Sequence, residues 1–118
     1  LKIFIAFLLC LSTSVFAQAQ PAYSVAEITI IDKEGYEKNL LPKIQELVSA
    51  AGGIFIVEGG QSEEISGVPK LAGRIVIVKF KSYLQAKDFY ASQPYQQLKP
   101  MVDKYIKIRL YIVEGSSL

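Results

Sequence analysis

The residues with most to offer a ligand crowd one short segment. DFYASQPYQQ, residues 88–97, holds Phe89, Tyr90 and Tyr95 within seven positions. Flat rings at that density can wall a pocket for a flat organic molecule, and each tyrosine carries a hydroxyl at the far end of its ring. Gln93 and Pro94 between the rings point to a second use, the break between two core-packing helices. Tyr36 is a further ring on an amphipathic segment, and Glu27 and Arg74 are charged residues able to supply one polar contact. A mostly apolar pocket with few placed polar groups is the usual form of a small-molecule site. Glu27, Tyr36, Arg74, Tyr90 and Tyr95 are therefore the pocket candidates.

Composition removes most other chemistry. The chain has no histidine and one cysteine, Cys10. Transition-metal sites lose their preferred ligands, and Ser–His and Cys–His nucleophile pairs cannot be assembled. Glu63-Glu64 lacks the clustered oxygen ligands that calcium needs. No glycine-rich loop leads from a strand into a helix, so the glycine pairs 52–53 and 59–60 are not phosphate cradles. No metal and no cofactor is expected. With 13 basic against 11 acidic residues and scattered lysines, the charge gives no footprint for nucleic acid.

The 118 residues make one domain preceded by a leader. Lys2, the apolar run IFIAFLLCL (residues 3–11) and a small-residue end describe a secretory signal peptide spanning 1–19, with cleavage after Ala17 or Ala19. The run is about half the ~20 residues that a membrane-spanning helix needs, so no stable anchor is expected after cleavage. Cys10 lies inside the leader and is preceded by Phe7, Leu8 and Leu9, not by the small residues of a lipid-attachment site. The mature domain, 20–118, is thus expected in the periplasm or outside the cell, stabilised by packing and without disulfides.

The elements that must position the candidates follow from periodicity. YSVAEITII (23–31) reads as a strand, and Asp32 as the N-cap of a helix whose stripe is Tyr36, Leu40, Ile44, Leu47, Val48 and Ala51. Pro42 predicts a kink or restart in it, and Gly52-Gly53 its end. IFIVE (54–58) is a second strand, expected to run on through Gly59-Gly60 and QSEEIS as one long bulged strand, with the turn at 67–73. RIVIVKF (74–80) is the third. Ser82 with Gln85 is a capping box opening a helix whose inward residues are Leu84, Ala86, Phe89 and Tyr90. Pro94 suits the first turn of the next helix, and IKIRLYIV (106–113) closes the chain as a strand. The order β-α-β-β-α-β is the ferredoxin-like arrangement, an α+β fold with a four-stranded antiparallel sheet and its helices on one face.

The two strands that alternate most clearly carry apolar residues on both faces. In RIVIVKF, Arg74, Val76, Val78 and Phe80 point one way, and Ile75, Ile77 and Lys79 the other. In the last strand Ile106, Ile108, Leu110 and Ile112 suit the helices and leave Lys107, Arg109, Tyr111 and Val113 opposite. Helices cover one face only. The second needs a cover, and a second copy of the chain is the economical one.

These pieces together resemble a family. YSVAEITIIDKEGY, AAGGIFIVEGG, RIVIVKF with its serine-capped helix, FYASQPYQ and the closing YIVEG match, nearly end to end, the small bacterial proteins grouped as domain of unknown function 1330 (DUF 1330). The resemblance implies a dimeric α/β barrel of two ferredoxin-like sheets and no established activity. Related dimeric barrels include cofactor-free oxygenases and haem-handling enzymes, which use the space between helices and sheet. Ile54 and Glu58 stand where many relatives carry arginine, and Lys79 where an acidic residue is common, whereas Arg74 and Glu27 match. Two functions follow as expectations: an exported homodimer of unassigned activity that binds a small molecule, or a cofactor-independent enzyme on a small aromatic or activated substrate, with a tyrosine or Glu27 handling the proton.

Overall fold

Strand alternation and helix caps place the elements in the computed structural model, which describes residues 20–67 and 73–117. β1 is Ala22–Ile30, β2 Ile54–Glu58, β3 Arg74–Phe80 and β4 Ile106–Glu114. They form one antiparallel sheet in the order β2-β3-β1-β4. The helical segments are α1 (Lys33–Gly35), a π-helical turn (Tyr36–Leu40), α2 (Leu41–Ala50), α3 (Tyr83–Ala91) and α4 (Gln93–Tyr105). This is the ferredoxin-like fold. The leader and most of the turn expected at 67–73 lie outside the described residues.

Local chemistry accounts for the helix ends. Asp32 accepts from the Gly35 amide at 3.0 Å, relieving one of the unpaired donors of the first turn. Ser82 accepts from the Gln85 amide at 3.0 Å, while the Gln85 side chain accepts from Lys81 N at 2.8 Å and donates to Ala51 O at 2.8 Å. That glutamine thus ties the start of α3 to the end of α2. The core fills the space between sheet and helices, with Phe80, Leu40 and Val48 essentially buried.

The restart expected at Pro42 is present: the proline stands in the first turn of α2, where its missing amide needs no partner, and the Leu41 amide reaches back five residues to Tyr36 O, closing a π-helical turn just before it. Two local expectations are corrected. The second strand does not continue through QSEEIS. β2 is bulged between Phe55 and Val57 and ends at Glu58, opposite Val76. Gly59 and Gly60 then take positive φ, 72° and 95°, which carries the chain off the sheet. A longer β2 would have run beyond Arg74, where β3 begins. Leu84 faces water at 65% exposure, because two positions before Ala86 is the opposite side of a helix.

The expected division of faces is present. Ala22, Ser24, Ala26 and Ile28 of β1 are buried under the helices, as are Val78, Phe80 and Ile106. On the other face Ile54, Tyr111 and Val113 are exposed at 61%, 42% and 46%.

Candidate functional site: an aromatic chamber under the helices

The hollow begins with small side chains. On β1 the helix-facing positions are Ala22, Ser24, Ala26 and Ile28, and Ser24 and Ala26 lie opposite Val78 and Val76 of β3 and Ile112 and Leu110 of β4. An inner strand lined by alanine and serine between two strands of larger residues leaves a trough under the helices. Helix α3 and the start of α4 roof it with rings. Phe89 and Tyr90 meet edge to face at 4.8 Å between centroids, Tyr90 and Tyr95 at 4.9 Å, and Phe80 lies 5.5 Å from Phe89. These are separations at which aromatic pairs attract.

The break in DFYASQPYQQ sets the roof. α3 ends at Ala91, and Ser92 adopts an extended conformation as the N-cap of α4. Its hydroxyl donates to Phe89 O at 2.6 Å and accepts from the Tyr95 amide at 3.4 Å, with Pro94 in the first turn needing no partner for an amide. Gln96 closes the corner by donating to Tyr90 O at 2.7 Å. Tyr90 and Tyr95 therefore descend from two helices into one space.

That space is a cavity of about 60 Å³, bounded among others by Ser24, Tyr36, Phe55, Phe89, Tyr90 and Tyr95. It is room for a few waters or a small organic group. Among the described residues, no carboxylate and no cation lines it. Its inner polar feature is one hydroxyl pair: Tyr90 Oη donates to Ser24 Oγ at 2.7 Å, with Ser24 2% exposed. One bond uses one of the pair's two protons, so a hydrogen-bond donor is left over for a ligand carbonyl or a water.

Burial governs the acidity of these phenols. Removal from water pushes Tyr90 from 10.0 up to about 12, with the Ser24 hydrogen bond acting the other way and neighbouring Tyr95 adding to the rise. Tyr95 is raised by burial and then by Asp103. Tyr36 is raised by burial, against the pull of Arg74 and with the push of Glu58 and Glu37. All three stay protonated near neutrality, as donors.

Of the five candidates, Tyr36, Tyr90 and Tyr95 meet in the chamber. Arg74 lies at an adjoining cavity of about 80 Å³, shared with Tyr36, Gln45, Phe55 and Glu58. Glu27 does not belong. The alternation that buries Ser24, Ala26 and Ile28 turns Glu27 to the open face of the sheet, opposite Arg109 on β4 and Ile75 on β3. Sequence reasoning missed Ser24, whose signal was the run of small residues at alternate positions, Ala22, Ser24 and Ala26. It also missed the π-helical turn that starts at Tyr36, a distortion that recurs at functional sites.

Solved structures share the fold. A protein of unknown function from Rhodopseudomonas palustris, RPA0582, superposes with a TM-score of 0.65 at 12% identity over 84% of this chain and 85% of its own. The methylated form of RPA0582 gives 0.62 at 12% identity over 84% and 83%. SnoaB, a cofactor-independent oxygenase from Streptomyces nogalater, gives 0.53 at 8% identity over 85% of this chain and 97% of its own. No curated protein matches the sequence. The match that assigns the chain runs over residues 21–116, from the first strand to just beyond the last, and it places the protein in the family described as domain of unknown function DUF1330.

Proposed function

We propose that this protein binds a small, largely apolar organic molecule in the chamber between helices and sheet, and that it does so as an exported homodimer. The observation that carries the reading is the chamber itself, a hollow walled by Phe89, Tyr90 and Tyr95 with the Tyr90–Ser24 hydroxyl pair as its inner polar point. A ring packed against these rings fits the hollow, and a further acceptor carried on it can reach the hydroxyl pair.

Binding fits better than catalysis. A proton-abstracting group should have an acidity matched to neutral pH, and Tyr90 is shifted away from that range, to about 12. Glu27, the carboxylate expected to handle a proton, is on the opposite face of the sheet. The likeness to SnoaB is one of fold.

A thermal-shift screen of small aromatic compounds on wild type, Tyr90→Phe and Tyr95→Phe tests the reading. The expected hit stabilises wild type and loses part of its shift in Tyr90→Phe. An equal shift in all three proteins places the site elsewhere, and an absence of hits leaves ring packing as the role of these residues.

The homodimer is supported by the second sheet face, where Ile54, Tyr111 and Val113 are exposed beside half-buried Val25, Ile75 and Ile77. Export is supported by the leader-like pattern of residues 1–19.

A further inference from the structure

A second cavity adjoins the chamber, and it is charged. Tyr36, Leu41, Phe55 and Val76 bound both cavities, and Gln45, Glu58 and Arg74 complete the outer one. Resting on the small-molecule reading above, we infer that the outer cavity is the mouth of the chamber and an anion subsite built around Arg74, and that the ligand is a small aromatic carboxylate, its ring in the chamber and its carboxylate on the guanidinium.

Arg74 is positioned for this. It opens β3 on the helix-facing side, opposite Ile28. Its Nη2 donates to the backbone carbonyl of Glu58 at 3.1 Å. The guanidinium lies so tightly over Gly59 that a β-carbon there would collide with Nε and Nη2. Gly59, at φ 72°, is also a backbone position that few other residues adopt. A glycine with no side chain is thus the seat of the arginine, and the Glu58 carbonyl is its tether. A guanidinium carries five N–H donors in a rigid fork, so one bond to a carbonyl leaves donors for a carboxylate, which it matches in shape. The charge reaches the cavity wall, since it acts on the neighbouring Tyr36 phenol. Glu58 lines the same mouth, and its carboxylate must weaken an anion held there. That opposition gives the inference a second, oppositely signed test.

The experiment is calorimetric titration of the mature protein with benzoate and with benzamide, a neutral compound of nearly the same shape. In wild type, benzoate should bind on the order of tenfold tighter, the scale of a charge-assisted hydrogen bond over a neutral one. Arg74→Gln should remove that preference, with both compounds still binding at a reduced and similar affinity, which also shows that the chamber is still formed. Glu58→Gln should widen it, and raised salt should narrow it because the mouth is open to solvent. Gly59→Ala, which unseats the guanidinium without deleting it, should weaken benzoate selectively. Equal affinity for the two compounds in wild type, or a preference that survives in Arg74→Gln, overturns the anion subsite and leaves the pocket standing. Binding of neither compound overturns both.

Discussion

Tyr90 on α3 and Ser24 on β1, 66 residues apart in the chain, are joined by a 2.7 Å hydrogen bond under the helices. The bond fixes the roof of the chamber to its floor, and each hydroxyl is the other's means of being buried. Tyr90→Phe keeps the ring in its edge-to-face contacts but leaves the Ser24 oxygen in an apolar hollow without its donor. The expected loss is about 1–3 kcal/mol of folding stability, the cost of an unsatisfied buried polar group. Ser24→Ala should cost a similar amount by stranding the phenol. The double variant should be less destabilised than the sum of the two, since removing both partners leaves nothing stranded. Urea unfolding of the four proteins measures this, and strictly additive losses would show that the two hydroxyls do not depend on each other.

The same pair predicts a pH dependence far into the alkaline range. Tyr90 ionises near 12 when folded and at 10.0 when unfolded, because burial disfavours the phenolate. The folded state therefore holds a proton that the unfolded chain has already lost. Its contribution to stability is complete below pH 10 and drains away as the pH rises toward 12. The full effect is about 3 kcal/mol, at 1.36 kcal/mol for each pH unit separating the two values. Tyr36 and Tyr95 are shifted in the same direction and add to the slope. Stability curves of wild type and Tyr90→Phe, measured from pH 9 to 11.5, should converge as the pH climbs. Parallel curves would mean that Tyr90 is not buried in solution.

How much of this could be read from the chain depends on the residue. RIVIVKF has a clear alternation, and the two residues of it that the structure buries, Val78 and Phe80, both belong to the helix-facing set. The caps at Asp32 and Ser82 were legible too, because they use local bonds within a few residues. The parity of β1 was not. AYSVAEITI has small or apolar residues at both parities, so which of Ser24 and Glu27 enters the chamber is decided by pairing with β3 and β4, not by the strand itself. The end of β2 was hidden for a similar reason: its length is limited by where β3 begins. Pro42 announced the restart of the helix but not the form of what precedes it, a π-helical turn that keeps Tyr36 and Leu40 in the core.

The leader yields a prediction independent of the fold. If residues 1–19 are a signal peptide, protein recovered from the periplasm or medium should begin at Gln18 or Gln20. Intact-mass measurement decides it, and exported protein that retains residues 3–11 would replace a cleaved leader with an anchor.

The last prediction concerns the open face of the sheet. Tyr23, Val25, Ile75, Ile77, Tyr111 and Val113 lie on one surface by register, with Tyr23 paired to Val113 and Val25 to Tyr111 and Ile77. Ile54 and Val57 of β2 extend it to the sheet edge. Lys79, Lys107 and Arg109 interrupt this surface without covering it, and Glu27 stands opposite Arg109 in the register, so a partner of the same charge pattern has an acidic group to offer a basic one. A contact burying about 800 Å² on each copy is the standard size for a stable pair. At ~25 cal/mol per Å² the apolar part of such a contact can exceed the entropy lost on association. The mature protein should therefore sediment as a dimer at micromolar concentration. Val113→Lys together with Tyr111→Lys brings like charges into the centre of a two-fold contact and should yield folded monomer, with the α-helical circular dichroism unchanged. A wild type that remains monomeric at high micromolar concentration would show that this face meets water or a different protein.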